Sequence, residues 1–243
     1  MSDTDDSSQS LIDEALFRPV RSGNAFEDTV ARLLQAVRLG IVAPGTALPS
    51  ERDLALRFSV SRDTVRDAIR ELASAGYLVS RRGRYGGTFV SETLPTTSQE
   101  APVELTSAEL EDVLGLREIL EIGAVRAAAL RSLTAAERDG VWRQLQECAA
   151  AAPLDYRRLD SRLHLALAEL AGVPSLVRLV ADSRSQLNSL LDRIPLLAPN
   201  IAHSNQQHEA VVVAILRGDQ DKAAESMSEH LAGSAALLRG FLA

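Results

Sequence analysis

A mainly α-helical protein is expected. It should carry an N-terminal winged helix-turn-helix with a small β-wing, joined to an all-α antiparallel helical bundle. Three observations predict this. From Leu48 to Val90, two short helical segments flank a Ser-Val-Ser break and lead into a glycine-rich hairpin pattern. From Thr106 onward apolar residues recur at helical spacing, with no strand pattern among them. Between these parts, residues 91–105 hold Pro95, Pro102 and several Ser/Thr, the composition of a linker.

Composition bounds the problem. The 243 residues suffice for two domains, and apolar content of 46% with only 4% aromatics predicts a Leu/Ala/Val core of packed helices. A single cysteine, Cys148, rules out an internal disulfide and fits a cytoplasmic protein, with the thiol as a buried apolar group. The N-terminus is acidic and polar, unlike a signal peptide, and the longest apolar runs are too short to span a bilayer. The net charge of −7 at first argues against nucleic acid, but its distribution reverses that. Residues 18–92 hold 12 Arg against 8 Asp/Glu, a net +4, whereas residues 1–17 carry −5 and residues 93–243 carry −6. A basic module on an acidic remainder presents one end to DNA. Four segments result: a disordered acidic tail (1–17), the winged module (18–92), the linker (93–105) and an all-α domain (106–243).

The first helix should run over Ala25–Leu39, with Phe26, Val30, Leu33, Leu34 and Val37 inward and Gly40 ending it. Ser50 can cap the second, with Asp53 closing the capping box in place of Glu; Leu54, Ala55 and Phe58 are its apolar positions. Ser61 can cap the third, in which Val65, Ile69 and Leu72 share one face and Arg62, Arg66 and Arg70 another. Gly76 stops it, and residues 78–79 and 88–90 flank an Arg/Gly-rich turn. A recognition helix reads the major groove with its N-terminal residues, and the fork of Arg62 or Arg66 matches guanine O6 and N7. Ser61 and Thr64 can bond phosphates or bases, and the arginines and glycines of the wing suit close approach to a phosphate-lined groove. A solvated face of an interaction helix is the plainer alternative.

The runs PSERDLA (49–55), VSRDTVRDAIREL (60–72) and RGRYGGTFV (82–90) resemble the GntR family of bacterial transcription regulators, over roughly residues 26 to 90. The resemblance implies backbone contact by Arg52, base reading by Arg62 and Arg66, phosphate contacts by Ser61 and Thr64, and a wing-tip contact by Arg82 and Gly83. Asp63 stands where the family often has a hydroxyl residue; it can accept from a cytosine N4 or simply favour the helix N-terminus.

Six helices are expected in the second half: Thr106 to about Arg131 and Thr134 to about Ala152, each opened by a Thr-x-x-Glu capping box, then Leu154–Ala171, Pro174–Asp192, Asn200–Arg217, and a last one from Asp219 or Gln220 to near Phe241. Asp160 and His164 are four apart and share a face that continues through Leu167 and Ala171. His208 lines up with Val211, Val212 and Ile215, and His230 with Met227, Ser234, Leu237 and Phe241, so both point inward. His203, five residues before His208, faces outward. One aspartate and three imidazoles converging in a bundle suit a divalent transition metal. Without thiolate the candidates are Zn²⁺, placed first, then Ni²⁺, Mn²⁺ or Fe²⁺, the alternative being core histidines bonded to one another or to water. Arg117 falls on the inward stripe with Leu114, Glu121 and Ala124 and needs an anion, either Glu118 or Glu121 on its own helix or a bound carboxylate. Ser185 and Asn188 can add polar contacts.

This half, over about residues 107–236, resembles the FCD ligand-binding domain of the FadR-like branch of that family. The resemblance implies metal ligation by Asp160, His164, His208 and His230, and an effector-binding role for Arg117. The expected function is a DNA-binding transcription regulator, a cytoplasmic homodimeric repressor on a short inverted-repeat operator of double-stranded DNA, controlled by a small carboxylate effector at the metal and without membrane attachment. A metal-dependent hydrolase is the rival class, disfavoured because no general base or nucleophile stands beside the ligands. A constitutive DNA binder with a structural metal is the third reading.

Overall fold

The computed structural model describes Phe17, Pro19 and residues 25–81, 86–95 and 106–242. The chain divides into two compact units between Glu100 and Ala101.

The N-terminal unit holds α1 (Ala25–Arg38), α2 (Glu51–Phe58), α3 (Arg62–Ser74), β1 (Leu78–Arg81) and β2 (Gly87–Val90). Helix α3 packs against both α1 and α2. The buried face of α1 is rotated from the expected one: it consists of Thr29, Leu33, Ala36 and Val37, while Phe26 is 39% exposed. Thr29 tolerates burial because its hydroxyl donates to the Ala25 carbonyl at 2.6 Å. At the start of α2, Ser50 Oγ accepts from the Asp53 amide at 3.2 Å. The expected reciprocal arm is replaced: Asp53, one methylene shorter than Glu, takes the Ser50 hydroxyl at 2.7 Å instead. Ser59 closes α2 in the left-handed region (φ 56°), a conformation that costs a non-glycine residue roughly 1–2 kcal/mol. The sharp turn it makes delivers Ser61 as the cap of α3, accepting from the Thr64 amide at 3.0 Å. Val65, Ala68, Ile69 and Leu72 are the buried face of α3, as their spacing predicts.

Gly76, at φ +82°, takes the chain out of α3. Strands β1 and β2 then pair antiparallel, with Leu78 opposite Val90 and Arg81 opposite Gly87. The segment before α2 adds a third line of backbone bonds: Gly45 N–H to Val90 O at 2.9 Å, Val90 N–H to Thr46 O at 2.9 Å, and Leu48 N–H to Thr88 O at 2.8 Å. The base of the wing is thereby tied to the helices. Arg82 and Gly83, expected at its tip, lie outside the described residues. Of the expected acidic tail only Phe17 is described, and it belongs to the folded unit: it is 4% exposed, with its ring 5.6 Å from that of Phe58.

The C-terminal unit holds α4 (Ser107–Ala129), α5 (Ala135–Ala149), α6 (Tyr156–Leu170), α7 (Pro174–Leu191), α8 (Ala198–Arg217) and α9 (Gln220–Leu242). Both capping boxes form, Thr106 with Glu109 and Thr134 with Glu137. Helix α8 starts two residues earlier than expected because Pro199 sits inside its first turn, where a missing N–H costs nothing. Helix α4 is central, packing against α6, α7, α8 and α9. One apolar cluster, including Val125, Cys148, Leu163, Leu167, Val211 and Met227, fills one part of the bundle. A second, including Leu110, Leu114, Leu187 and Leu238, fills another. The site described next is built from polar side chains buried on these same helices. No described helix is long and apolar enough to cross a membrane.

Candidate functional site

On α3, Arg62, Asp63 and Arg66 are exposed on the face opposite the core, and Thr64 is half-buried. Arg52, on α2, keeps 76% of its side chain exposed. The Ser61 and Thr64 hydroxyls lie 2.8 Å apart and so share a bond before any phosphate arrives. Arg66 is not free: one amino group donates to Asp63 Oδ1 at 2.9 Å and the other to Glu51 Oε2 at 3.0 Å. The same Glu51 oxygen is 3.9 Å from Arg62. Glu51 therefore gathers both expected base-reading arginines and holds the Arg66 guanidinium more firmly charged. Its importance was legible in principle, since it is the glutamate of the PSER run at the first position of α2. Asp63 is engaged by Arg66.

In the C-terminal unit α6 supplies Asp160 and His164, α8 His208, and α9 His230, all four buried and each with a donor atom within 4.8 Å of the others. His208 Nε2 lies 3.3 Å from His164 Nε2, 3.2 Å from His230 Nε2 and 3.3 Å from Asp160 Oδ1. His164 Nε2 is 3.7 Å from Asp160 Oδ1. Donors bound about 2.0–2.2 Å from one ion stand roughly 3.0–3.5 Å apart, so these separations fit a shared metal. The surrounding bonds agree. Glu121 contacts His164 Nδ1, which places the ring proton there and leaves Nε2 a lone pair directed at the other imidazoles. Arg184 Nη2 donates to Asp160 Oδ2, leaving Oδ1 facing the histidines. Three nitrogens that close cannot all be satisfied by one another's protons, and His208 Nδ1 is buried without a hydrogen-bond partner.

Charge states favour the same reading. Burial opposes ionisation of Asp160, yet the charged Arg184 guanidinium beside it holds its carboxyl well below the usual range. Glu121 is likewise held down, against burial, by the hydrogen bond from His164 Nδ1 and by the Arg117 guanidinium. Burial pushes the His208 imidazole down to about 3 and His230 well below its ordinary value. Neutral His208 and His230 beside an ionised Asp160 are protonation states that suit a metal.

Arg117 is 2% exposed and its anion comes from its own helix: Nε donates to Glu121 Oε1 at 3.1 Å, and Nη1 to Ser234 Oγ on α9 at 2.6 Å. It still lines a cavity of about 410 Å³, together with Asp160 and His230. Ser185 and Asn188 are not brought to that wall; Asn188 donates to Ser161 Oγ at 2.8 Å. His203 is exposed as expected but borders the cavity. Arg184, fully buried, was missed, although Val177, Val180, Ala181, Arg184 and Leu187 form an inward stripe that the Arg117 logic would have caught.

The chain matches the family described as "Bacterial regulatory proteins, gntR family" over residues 26–90 and the FCD domain over residues 112–233. It is 31% identical to the "Putative L-lactate dehydrogenase operon regulatory protein" of Escherichia coli K12, covering 88% of this chain and 84% of that protein. It is 27% identical to the HTH-type transcriptional repressor NanR of Cronobacter sakazakii, covering 95% of this chain and 91% of the other. Its fold resembles that of E. coli McbR/YncC, with a TM-score of 0.56 at 17% identity, over 89% of this chain and 97% of the other. These domains and relatives are those of DNA-binding regulators, not of enzymes. The chain belongs to the GntR family of bacterial regulatory proteins, carries an FCD domain as its second unit, and is a DNA-binding transcription regulator.

Proposed function

We propose that this regulator is a cytoplasmic homodimeric repressor whose affinity for a short inverted-repeat operator is set by a small carboxylate effector in the C-terminal unit. The observation that carries this reading is the buried cluster of Asp160, His164, His208 and His230 opening on a cavity that Arg117 also lines. Those four residues would hold a divalent ion, with zinc the first candidate for a set of three imidazoles and one carboxylate. Bound there, the ion supplies a Lewis-acid charge to which an effector's carboxylate oxygen can attach. Arg117 adds a second positive group in a desolvated wall, where it attracts an anion more strongly than in water. Ser234 and Glu121 orient its guanidinium. In the N-terminal unit, Arg62 and Arg66 read bases, Arg52, Ser61, Thr64, Arg82 and Gly83 meet the backbone, and Glu51 holds the readers in place. The relation to an operon regulator of L-lactate dehydrogenase supports an acid as the signal.

An effector regulates only if it binds the DNA-competent and DNA-incompetent arrangements unequally; a coupling of about 1–3 kcal/mol changes operator affinity roughly 5–150-fold. The test measures operator affinity by gel shift, with and without carboxylates, in zinc-loaded protein, chelated protein and Arg117→Ala. Chelation and Arg117→Ala should each remove the response while leaving DNA binding. A normal response in Arg117→Ala would reduce that residue to the intrahelical ion pair with Glu121. A metal-replete protein that responds to no acid would favour a structural metal in a constitutive DNA binder.

A further inference from the structure

Helix α4 is apolar on two sides. Leu110, Leu114, Leu120 and Val125 are buried in the C-terminal unit. Leu116, Ile119 and Leu130 stand on the other side, 42%, 74% and 68% exposed. A helix that is apolar all round is normally covered all round, and among the described residues nothing covers the outer side of α4.

That outer side is also regular. Asp112, Leu116, Ile119, Gly123, Arg126 and Leu130 follow one another at alternating intervals of four and three residues, and all six are exposed. At 3.6 residues per turn they lie within about 80° of arc. This is the spacing of a seam between two helices. Gly115 and Gly123 stand four residues to either side of Ile119, and a methyl group added at either would meet nothing within 4 Å. Glycine inside a helix is less stable than alanine, and nothing among the described residues needs it at these two places. A second backbone approaching closely would.

The charges say which second helix fits. Asp112 and Arg126 are each seven residues from Ile119, about 10 Å along the axis. A two-fold axis through Ile119 lays α4 antiparallel to its own copy. Asp112 of each protomer then stands level with Arg126 of the other, and Gly115 with Gly123. A parallel pairing would instead set like charges against each other at both ends. An axis two residues on, at Glu121, would set Asp112 against Leu130 and Leu116 against Arg126. Asp112 has no ion-pair partner among the described residues. Arg126 meets Asp221 at 3.7 Å, a contact between two exposed side chains that is weak enough to exchange.

We infer that two copies of this chain associate through α4, antiparallel about a two-fold axis at Ile119, with Asp112–Arg126 pairs closing both ends of an apolar centre. This rests on the homodimeric reading above and gives that dimer its interface. A self-complementary contact of this kind relates two DNA-binding units by one two-fold, the symmetry that an inverted repeat presents.

Sedimentation of the full-length protein at low ionic strength tests the assignment. Wild type should run as a dimer. Asp112→Lys puts two like-charge pairs into its own dimer, and so does Arg126→Glu; each alone should dissociate more readily by roughly ten-fold or more. Mixed one to one, the two variants regain two opposite-charge pairs and should sediment as a dimer again. The double variant Asp112→Lys/Arg126→Glu should match wild type for the same reason. Ile119→Asp sets two carboxylates on the axis and should weaken the dimer by roughly 100-fold or more. All three positions are exposed in the protomer, so its fold should survive, and recovery on mixing shows that it has. A dimer whose strength none of the single variants changes, or single variants that mixing does not restore, would overturn the α4 interface while leaving the homodimeric reading intact. Wild type that stays monomeric at every concentration would remove both.

Discussion

Arg184→Met should expose how much the buried Asp160/histidine cluster depends on a counter-charge from another helix. Arg184 is completely buried; its Nη2 donates to Asp160, and Nη1 stands 3.9 Å from Glu121 Oε1. Two unit charges at that distance attract by about 4 kcal/mol at an effective dielectric of about 20, before desolvation is counted. Methionine keeps much of the volume and removes the charge, so Asp160 is left ionised and buried without its ion pair. Breaking such a pair costs about 3–5 kcal/mol. For a unit of this size that lowers the melting temperature by roughly 10–15 °C. The arginine's own cost of burial is relieved at the same time, since its Nε and Nη1 have no hydrogen-bond partners, so the lower half of that range is the better expectation. The assay is thermal unfolding of wild type, Arg184→Met, Asp160→Asn and the double variant, each after chelation and after zinc loading. In chelated protein the double variant should recover most of the stability lost by Arg184→Met, because the orphaned carboxylate is gone. Zinc should narrow the gap between wild type and Arg184→Met, since the ion gives Asp160 a second counter-charge. A chelated Arg184→Met protein melting within about 2 °C of wild type would refute the claim that Asp160 needs this partner.

Arg66→Ala should cost about 1–3 kcal/mol of discrimination between operator and mutated operator, read by competitive gel shifts. Arg52→Ala should instead weaken binding to all sequences and reduce the salt slope by about one; unchanged slopes would remove its phosphate role. Glu51→Gln keeps the side-chain shape but releases Arg66, so affinity for non-operator DNA should rise while the operator-to-nonspecific ratio falls; a preserved ratio would show that Asp63 alone positions the arginine. His208→Ala should lower bound metal and His203→Ala should not, and metal analysis of the two purified proteins decides between a ligand set and a merely buried cluster.

Much of this protein is written in short-range sequence relations. Helices, their caps and their inward faces depend on residues three and four apart, so Thr106 with Glu109, Thr134 with Glu137, and the Asp160–His164 pair could be read without coordinates. The exposed arginine face of α3 is equally local, because Val65, Ile69 and Leu72 assign the core side and leave Arg62 and Arg66 opposite. Tertiary structure decided what depends on partners far along the chain. Ser234 reaches Arg117 across 117 residues, His208 reaches His164 across 44, and Glu121 reaches His164 across 43. Periodicity says that such groups point inward but not at what. The rotation of α1 likewise depended on which side α3 would cover, which moved Phe26 outward and Thr29 inward. Asn188 turned to Ser161 rather than the cavity for the same reason: a side chain's angular position on its own helix is local, whereas its partner is set by how the helices pack.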